Sequence, residues 1–191
     1  RGVEMAKAAA LAPAGMSAVL GGDRDVVLKA IADAGLVAAN DNGGGQIVAA
    51  GDLTALAGLA PEGARVRALA VAGAFHTSYM QPAVEPMRAL AASMEATDAT
   101  VGVLSNKDGA VITDGREILD RIVNQIANPV RWDLCMQSLA ESGVTGAIEV
   151  APAGTLVGLI KRAVPTIEQC ALKSPAELEA ATAFAATHGG K

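Results

Sequence analysis

The 191 residues contain two histidines, and the surroundings of the two differ. His188 lies in a polar stretch near the C-terminus, which predicts a surface position. His76 follows the apolar residues 71–75 and precedes a helix that Pro82 opens, so we expect it at the C-terminal end of a strand. Enzymes with α/β folds place catalytic groups at such strand ends, where an imidazole can act as a general base. The alternative, a histidine hydrogen-bonded inside the core, stays open on position alone.

A catalytic base of this kind needs a nucleophile, and the sequence offers no clear one. None of the seven serines lies in a G-x-S-x-G motif, the sharp strand-to-helix turn that exposes a nucleophilic hydroxyl. Residues 15–19 fail that motif at the last position, and Ser17 falls within a predicted strand. Cys135 lies in a predicted helix, so we expect a buried thiol there. The sequence therefore provides a candidate base without its nucleophile.

Composition and charge exclude several classes of function. The two cysteines lie far apart with no C-x-x-C motif, so we predict no metal site, no cofactor and a reduced, cytoplasmic protein. A net charge of −5 argues against a nucleic-acid partner. The longest apolar stretch, residues 147–164, is interrupted by Glu149, Pro152, Lys161 and Arg162, and a membrane-spanning helix needs about 18 uninterrupted apolar residues. We therefore expect no membrane partner.

Residues 12–70 predict a small unit of six elements. Strands are expected at residues 16–21, 36–40, 46–50 and 65–70 because these runs are apolar and bounded by glycine, proline or aspartate. Asp23 and Asp52 each precede a run with helical spacing, so we expect them to cap two helices. The order β-α-β-β-α-β is typical of a ferredoxin-like unit.

The rest of the chain predicts a second, larger part made of residues 1–11 and 71–191. Short strands alternate there with longer helices, which indicates an α/β layer with a parallel sheet. The first helix lacks a Ser, Thr, Asp or Asn cap in front of it, so it starts in mid-course. We expect that a preceding segment of the domain is absent from this chain. The alternative is that the chain begins at Arg1 for no structural reason.

Two further blocks carry weaker signals. Asn128 and Pro129 stop a predicted helix beside Trp132, the sole tryptophan, and an ordinary helix stop with a core tryptophan explains them. Residues 151–156 follow a predicted strand and open a helix, whose free N–H groups could hold a phosphate. Such turns are common in α/β folds, so this block alone does not indicate a phosphate site.

Several short motifs follow one another in order along nearly the whole chain. They are Arg1-Gly2 with Met5, Gly15-Met16-Ser17-Ala18, Asn42 with Gly45-Gln46-Ile47-Val48, Gly73-Ala74-Phe75-His76, Ser105-Asn106, Gln125 with Asn128-Pro129-Val130-Arg131-Trp132, and Glu149-Val150 with Gly154-Thr155-Leu156. Together they resemble the malonyl-CoA:acyl-carrier-protein transacylases of fatty acid synthesis and the related acyltransferase domains of polyketide synthases. The motif residues are most similar to those of actinobacterial members.

This resemblance implies an α/β-hydrolase-like large domain, residues 1–11 and 71–191, into which a ferredoxin-like small domain, residues 12–70, is inserted. It also implies that the family's P-G-Q-G and G-H-S-x-G segments, the second with the nucleophilic serine, lie upstream of Arg1. The partners would be malonyl-CoA, an acyl carrier protein and that missing N-terminal segment. We therefore expect the chain alone to be an inactive part of a malonyltransferase.

The resemblance also assigns roles to residues. His76 would be the general base, and the backbone carbonyl of Gln125 would accept a hydrogen bond from its other ring nitrogen. Arg1 would pair with the free malonyl carboxylate, which acetyl groups lack. The remaining candidate substrate-binding residues are Met5, Phe75, Asn42 and Asn106.

Two other functions stay open at this level. The chain could be an acyltransferase domain excised from a polyketide or multidomain fatty acid synthase. A non-catalytic binding module built on the ferredoxin-like unit belongs to another class. RNA binding is disfavoured because residues 12–70 contain no aromatic side chain on which bases could stack.

Overall fold

A computed structural model describes residues 1–189 of the chain. The contacts divide it into two compact units, Arg1–Cys135 and Met136–Lys191, each described here by itself. The fold is of the α/β class, as the sequence predicts. The predicted division at residues 12–70 follows a different boundary and stays a prediction.

The first unit begins with helix α1 and continues into the six elements expected from residues 12–70. Their order is β-α-β-β-α-β, as predicted. Helix α1 spans Gly2–Ala9. The six elements are β1 Ala14–Gly21, α2 Arg24–Asp33, β2 Val37–Asp41, β3 Gln46–Asp52, α3 Leu53–Gly58 and β4 Ala64–Ala68. Both predicted helix caps are confirmed, because the Asp23 and Asp52 side chains accept hydrogen bonds from the first free N–H groups of α2 and α3.

These four strands form an antiparallel sheet in the order β4-β1-β3-β2. Alternate residues of β3 pack on opposite faces. Ile47 and Ala49 join the core cluster that contains residues of α2 and α3, whereas Val48 and Ala50 pack with Ala74 on the other face. A short strand β7, Val130–Arg131, extends the sheet by pairing in parallel with β2. The central strands β1 and β3 are therefore buried on both faces, and the sheet is mixed in direction.

The remainder of the first unit is mostly helical. Its elements are a 3-10 turn Ser78–Met80, α4 Gln81–Ala92, the hairpin strands β5 Val103–Leu104 and β6 Val111–Ile112, α5 Gly115–Asn124, a 3-10 turn Gln125–Ala127 and the start of α6 Trp132–Glu141. The core of this part lies between α1, α4 and α5, where Ala9, Met80, Val84 and Val123 are buried together.

The strand expected at residues 71–75 is not formed, so that prediction is wrong. The segment closes tight local turns instead, with Val71 N–H donating to the Leu69 carbonyl at 2.9 Å and Phe75 N–H to the Gly73 carbonyl at 3.1 Å. Gly73 also lies so close to α1 that a Cβ there would come within 2.8 Å of the Ala9 Cβ. Because its N–H groups bond locally and its backbone packs on a helix, this apolar run does not join a sheet.

The second unit contains a parallel pair of strands, β8 Gly146–Val150 and β9 Glu168–Leu172, with helices α7 Leu156–Ala163 and α8 Leu178–His188. Parallel pairing is what the alternating part of the sequence predicts. Ser174 and Glu177 form a capping box before α8.

The Glu149 carboxylate fills the position at which a phosphate could have bound before α7. It accepts hydrogen bonds from the N–H groups of Gly154, Leu156 and Val157 at 2.9–3.0 Å. Desolvation raises the pKa of Glu149, but the backbone hydrogen bonds outweigh it and hold the pKa below its usual range. The helix N-terminus is thus satisfied by the protein's own anion.

Candidate functional site

A cavity of about 360 Å³ in the first unit contains His76 and is called the His76 cavity below. Its walls come from elements far apart in the sequence. They are supplied by the N-terminus of α1, strand β2, the β5–β6 hairpin, helix α5, the 3-10 turn after α5 and strand β7. Two arginines, Arg1 and Arg121, line the cavity, and none of its lining residues is an aspartate or glutamate. Arg121 is paired with Asp108 and Glu117, so it is the Arg1 guanidinium that suits the cavity to an anionic ligand.

His76 is half-buried and is held in an unusual backbone conformation. Its φ is 61°, the one positive φ outside glycine in the part of the chain that the structure describes. The neighbouring Thr77 is buried and fixes this turn, because its hydroxyl donates to the Ala74 carbonyl at 2.7 Å and accepts from Tyr79 N–H at 3.2 Å. Left-handed backbone outside glycine costs free energy, and such strain concentrates at functional sites.

One ring nitrogen of His76 is occupied and the other is free. Nδ1 lies 2.8 Å from the backbone carbonyl oxygen of Gln125, 49 positions along the chain. Because a carbonyl only accepts, Nδ1 carries the proton in the neutral ring, and Nε2 presents a lone pair. Within residues 1–189 no group hydrogen-bonds to Nε2. This tautomer is the one that a general base requires.

The electrostatic surroundings keep His76 neutral. Burial lowers the pKa of His76 most, the hydrogen bond to the Gln125 carbonyl raises it, and the Arg1 guanidinium lowers it further. The pKa of His76 therefore lies below its usual 6.5, so most of the imidazole is unprotonated at neutral pH. A neutral imidazole is ready to accept a proton.

Gln125 presents its carbonyl because its own side chain fixes the local turn. The amide Nε2 donates to the carbonyls of Asn128 and Pro129 at 2.8 and 2.7 Å. These bonds tie the 3-10 turn after α5 to the start of β7. The sequence prediction that a ring nitrogen of His76 lies within hydrogen-bond distance of a carbonyl near Gln125 is therefore confirmed.

The structure brings four of the seven predicted site residues together and leaves three outside the cavity lining. Arg1, His76, Asn106 and Gln125 line it. In the described part of the chain, no carboxylate pairs with the Arg1 guanidinium. The other three are Met5, Phe75 and Asn42.

The three residues outside the lining are engaged elsewhere. Met5 and Phe75 are half-buried and pack against the core cluster between α1 and α4, and Phe75 also contacts the cluster on the sheet. Asn42 lies in the turn between β2 and β3, where its N–H donates to the Gln46 carbonyl at 3.0 Å. Their predicted contacts with substrate stay predictions.

The cavity lining also contains three polar residues that were not predicted as site residues: Asn40, Ser105 and Arg121. The only local signal for Arg121 is its spacing from Glu117, four residues earlier on α5, with which it pairs at 2.8 Å. Ser105 belongs to a motif of the family resemblance but was assigned no role. Neither spacing nor motif indicates that these side chains face His76.

Neither a metal site nor a membrane-spanning helix is found among the described residues. Among residues 1–189 no group of three His, Cys, Asp or Glu side chains is arranged to hold a metal ion. None of the helices in that same range is long and apolar enough to cross a lipid bilayer.

The position of Arg1 leads to a prediction about the titration of His76. Replacing Arg1 by Gln removes a nearby positive charge, so the pKa of His76 is expected to rise. Histidine ring NMR signals followed against pH give this midpoint directly. Lys7→Gln is the matched control, because Lys7 lies on the same helix, pairs with Glu4 and does not influence His76. An unchanged midpoint in Arg1→Gln would contradict the proximity of the two groups.

The lowered pKa also implies a direction for stability. A histidine that is harder to protonate in the folded state favours unfolding as the pH falls below 6.5, because the unfolded chain then binds more protons. The corresponding loss in the free energy of unfolding at acidic pH should be absent from His76→Gln.

Comparison with known proteins shows which enzymes the chain is similar to. No family model matches the chain. The malonyl CoA-acyl carrier protein transacylase of Mycobacterium tuberculosis is 52% identical over 182 residues, which is 94% of this chain and 60% of that relative. The crystal structure of MCAT from the same organism superposes with a TM-score of 0.89 over the same shares of the two chains.

A malonyl-transacylase in complex with its type II PKS acyl-carrier protein is 27% identical, with a TM-score of 0.84 over 94% of this chain and 61% of that one. The chain thus spans about three-fifths of the length of the relatives it matches. These similarities confirm the family resemblance inferred from the motifs.

Proposed function

We propose that this chain, a homologue of the malonyl CoA-acyl carrier protein transacylases over 94% of its length, is the part of such an enzyme that carries the catalytic base and the carboxylate-binding arginine. The complete enzyme would transfer a malonyl group from coenzyme A to the thiol of an acyl carrier protein in fatty acid biosynthesis. The observation that carries the proposal is the shared cavity of Arg1 and His76, in which Nε2 of His76 is free.

The reaction would proceed through an ester on a serine that these 191 residues do not include in a nucleophile motif. Nε2 of His76 takes the serine proton while the serine oxygen attacks the thioester carbonyl carbon. The carbon–sulfur bond then breaks, and the imidazolium returns the proton to the departing coenzyme A thiolate. In the second half, the carrier thiol gives its proton to Nε2 and attacks the ester, and the serine oxygen leaves with that proton.

The Gln125 carbonyl would support both halves of this reaction. It holds Nδ1–H, so the ring stays in the tautomer that accepts protons at Nε2. As the ring becomes positively charged, the same hydrogen bond becomes charge-assisted and stabilises the imidazolium. A backbone carbonyl thereby takes the place that a carboxylate holds in other triads.

Substrate selection would rest on Arg1. Its guanidinium has no ion-pair partner in the described part of the chain and can form two parallel hydrogen bonds with the malonyl carboxylate. Asn106 would line the acyl site, and Met5, Phe75 and Asn42 would shape it once the complete enzyme encloses the substrate. The proposal requires no cofactor or metal.

The larger architecture is part of the same proposal. Residues 12–70 would be a ferredoxin-like subdomain, supported by the antiparallel strand order β4-β1-β3-β2. Residues 1–11 and 71–191 would contribute to an α/β-hydrolase-like domain, completed by the segment with the nucleophile. A cytoplasmic location would follow from the function.

The role of Arg1 is tested by changing the substrate. In the complete enzyme, Arg1→Ala is expected to lower kcat/KM for malonyl-CoA about 10- to 100-fold, because a hydrogen-bonded charge pair is lost. Acetyl-CoA has no free carboxylate, so its kcat/KM should be unchanged or higher. Both values come from the same thiol-release assay.

Lys7→Ala serves as the control for removing a cation from α1, and both substrates should react as with the parent enzyme. An equal loss for malonyl and acetyl transfer in Arg1→Ala would show that Arg1 does not pair with the carboxylate.

A further inference from the structure

Ser105 directly follows β5 at the start of the loop of the β5–β6 hairpin, is buried and lines the His76 cavity. Its backbone is fixed on both sides, because its N–H donates to the Ala110 carbonyl at 2.9 Å and its carbonyl accepts from Gly109 N–H at 2.8 Å. The Sγ of Cys135 contacts the same carbonyl oxygen at 3.4 Å. Ser105 therefore presents its hydroxyl from a rigid position.

The hydroxyl oxygen of Ser105 already accepts two hydrogen bonds. One comes from Nη1 of Arg121 at 3.0 Å, and the other from the Lys107 N–H at 3.3 Å. A serine hydroxyl has two acceptor positions and one donor, so its hydrogen is what remains to be used. Within residues 1–189, no acceptor receives this hydrogen.

Arg121 cannot serve as the ligand-binding group itself. Nη1 also donates to both carboxylate oxygens of Asp108, at 2.8 and 2.9 Å, and Nε donates to Glu117 at 2.9 Å. Its Nη2 lies 2.8 Å from the same Glu117 oxygen. These contacts hold the guanidinium against the hairpin, and a guanidinium bonded to a hydroxyl oxygen makes that hydroxyl a stronger donor.

We propose that Ser105 is a further substrate-binding residue, whose hydroxyl donates a hydrogen bond to a carbonyl oxygen of the acyl thioester or its pantetheine arm, with Arg121 as the positioning residue. This inference rests on the proposed function. A neutral carbonyl fits because the donor is uncharged, whereas the malonyl carboxylate pairs with Arg1. A buried hydroxyl whose hydrogen has no acceptor is unfavourable. A ligand carbonyl in the cavity would supply the acceptor that the described residues do not provide.

The test compares variants of the complete enzyme in malonyl transfer. Ser105→Ala is expected to raise the KM for malonyl-CoA about 2- to 10-fold, the effect of losing one neutral hydrogen bond, with a smaller change in kcat. The conservative variant Ser105→Thr keeps the hydroxyl and should fall between the parent and Ser105→Ala. Ser93→Ala is the matched control, because it removes an exposed hydroxyl at the end of α4 that donates only to the Leu90 carbonyl.

Asp108→Asn separates substrate binding from support of the hairpin. It weakens the Arg121 ion pair next to Ser105 and leaves the hydroxyl in place. Because Arg121 then positions the hydroxyl less firmly, Asp108→Asn should raise the KM, but less than Ser105→Ala does. A KM unaffected by Ser105→Ala, or one raised as much by Ser105→Thr, would overturn the proposal. Failure of the proposed function is distinct, because it would appear as absent malonyl transfer in the parent enzyme itself.

Discussion

Malonyl transfer is expected to fall below detection when the 191-residue chain is assayed alone. His76 can move a proton, but the acyl group needs a nucleophile, and no hydroxyl or thiol of residues 1–189 hydrogen-bonds to its Nε2. The buried thiol nearest to the cavity residues, Cys135, is no substitute. Burial raises the pKa of Cys135 to about 11, so it is protonated at neutral pH.

The assay measures malonyl transfer from malonyl-CoA to an acyl carrier protein by a sample whose intact mass is 19.1 kDa. The mass excludes a sample that contains a further polypeptide with the serine motif. The complete enzyme under the same conditions is the positive control. Measurable transfer by the pure chain would show that a nucleophile lies within these residues. It would contradict the proposal that the nucleophilic serine belongs to another segment of the enzyme.

In the complete enzyme, His76→Ala is expected to lower kcat/KM for malonyl transfer about 100- to 10,000-fold, the contribution of a positioned general base. The loss should appear mainly in kcat, because the imidazole acts on the serine proton and not on binding of the malonyl carboxylate. The pH profile of the parent enzyme should rise with the deprotonation of His76, at a pH below 6.5.

His188→Gln is the matched control, because it removes the other histidine, which bonds to Thr145 in the second unit. Activity close to that of the parent is expected for it. A His76→Ala enzyme that keeps more than about a tenth of the parent kcat would be incompatible with general-base catalysis by this residue.

Local sequence patterns were sufficient for the elements of residues 12–70. An aspartate directly before a run of helical spacing determines where α2 and α3 begin, because its side chain bonds to N–H groups two and three residues away. The pleat of β3 sends alternate residues to opposite sides of the sheet, and its continuous apolar run fits burial on both sides. Interactions that span only two or three residues are determined by the local sequence.

Residues 71–75 show where such patterns fail. An apolar run of this length is compatible with a buried strand, but strand formation needs a partner strand that accepts and donates hydrogen bonds. The backbone of this segment instead closes local turns, and Gly73 packs against Ala9 of α1. The choice between these outcomes depends on a helix more than sixty residues earlier in the chain.

The functional site likewise depends partly on sequence motifs and partly on tertiary structure. Motif resemblance alone selected Arg1 and Gln125, because family motifs record residue types at fixed positions, whereas His76 was a candidate base from its position after an apolar run. The resemblance also implied a bond between a His76 ring nitrogen and the Gln125 carbonyl. Only the tertiary structure decided that this nitrogen is Nδ1, that φ at His76 is 61° and that Ser105 and Arg121 line the same cavity. It also placed Met5, Phe75 and Asn42 outside the cavity lining. Helix caps and strand alternation arise from neighbours in the chain, whereas the direction of a hydrogen bond between residues 49 positions apart arises from the packing of the whole unit.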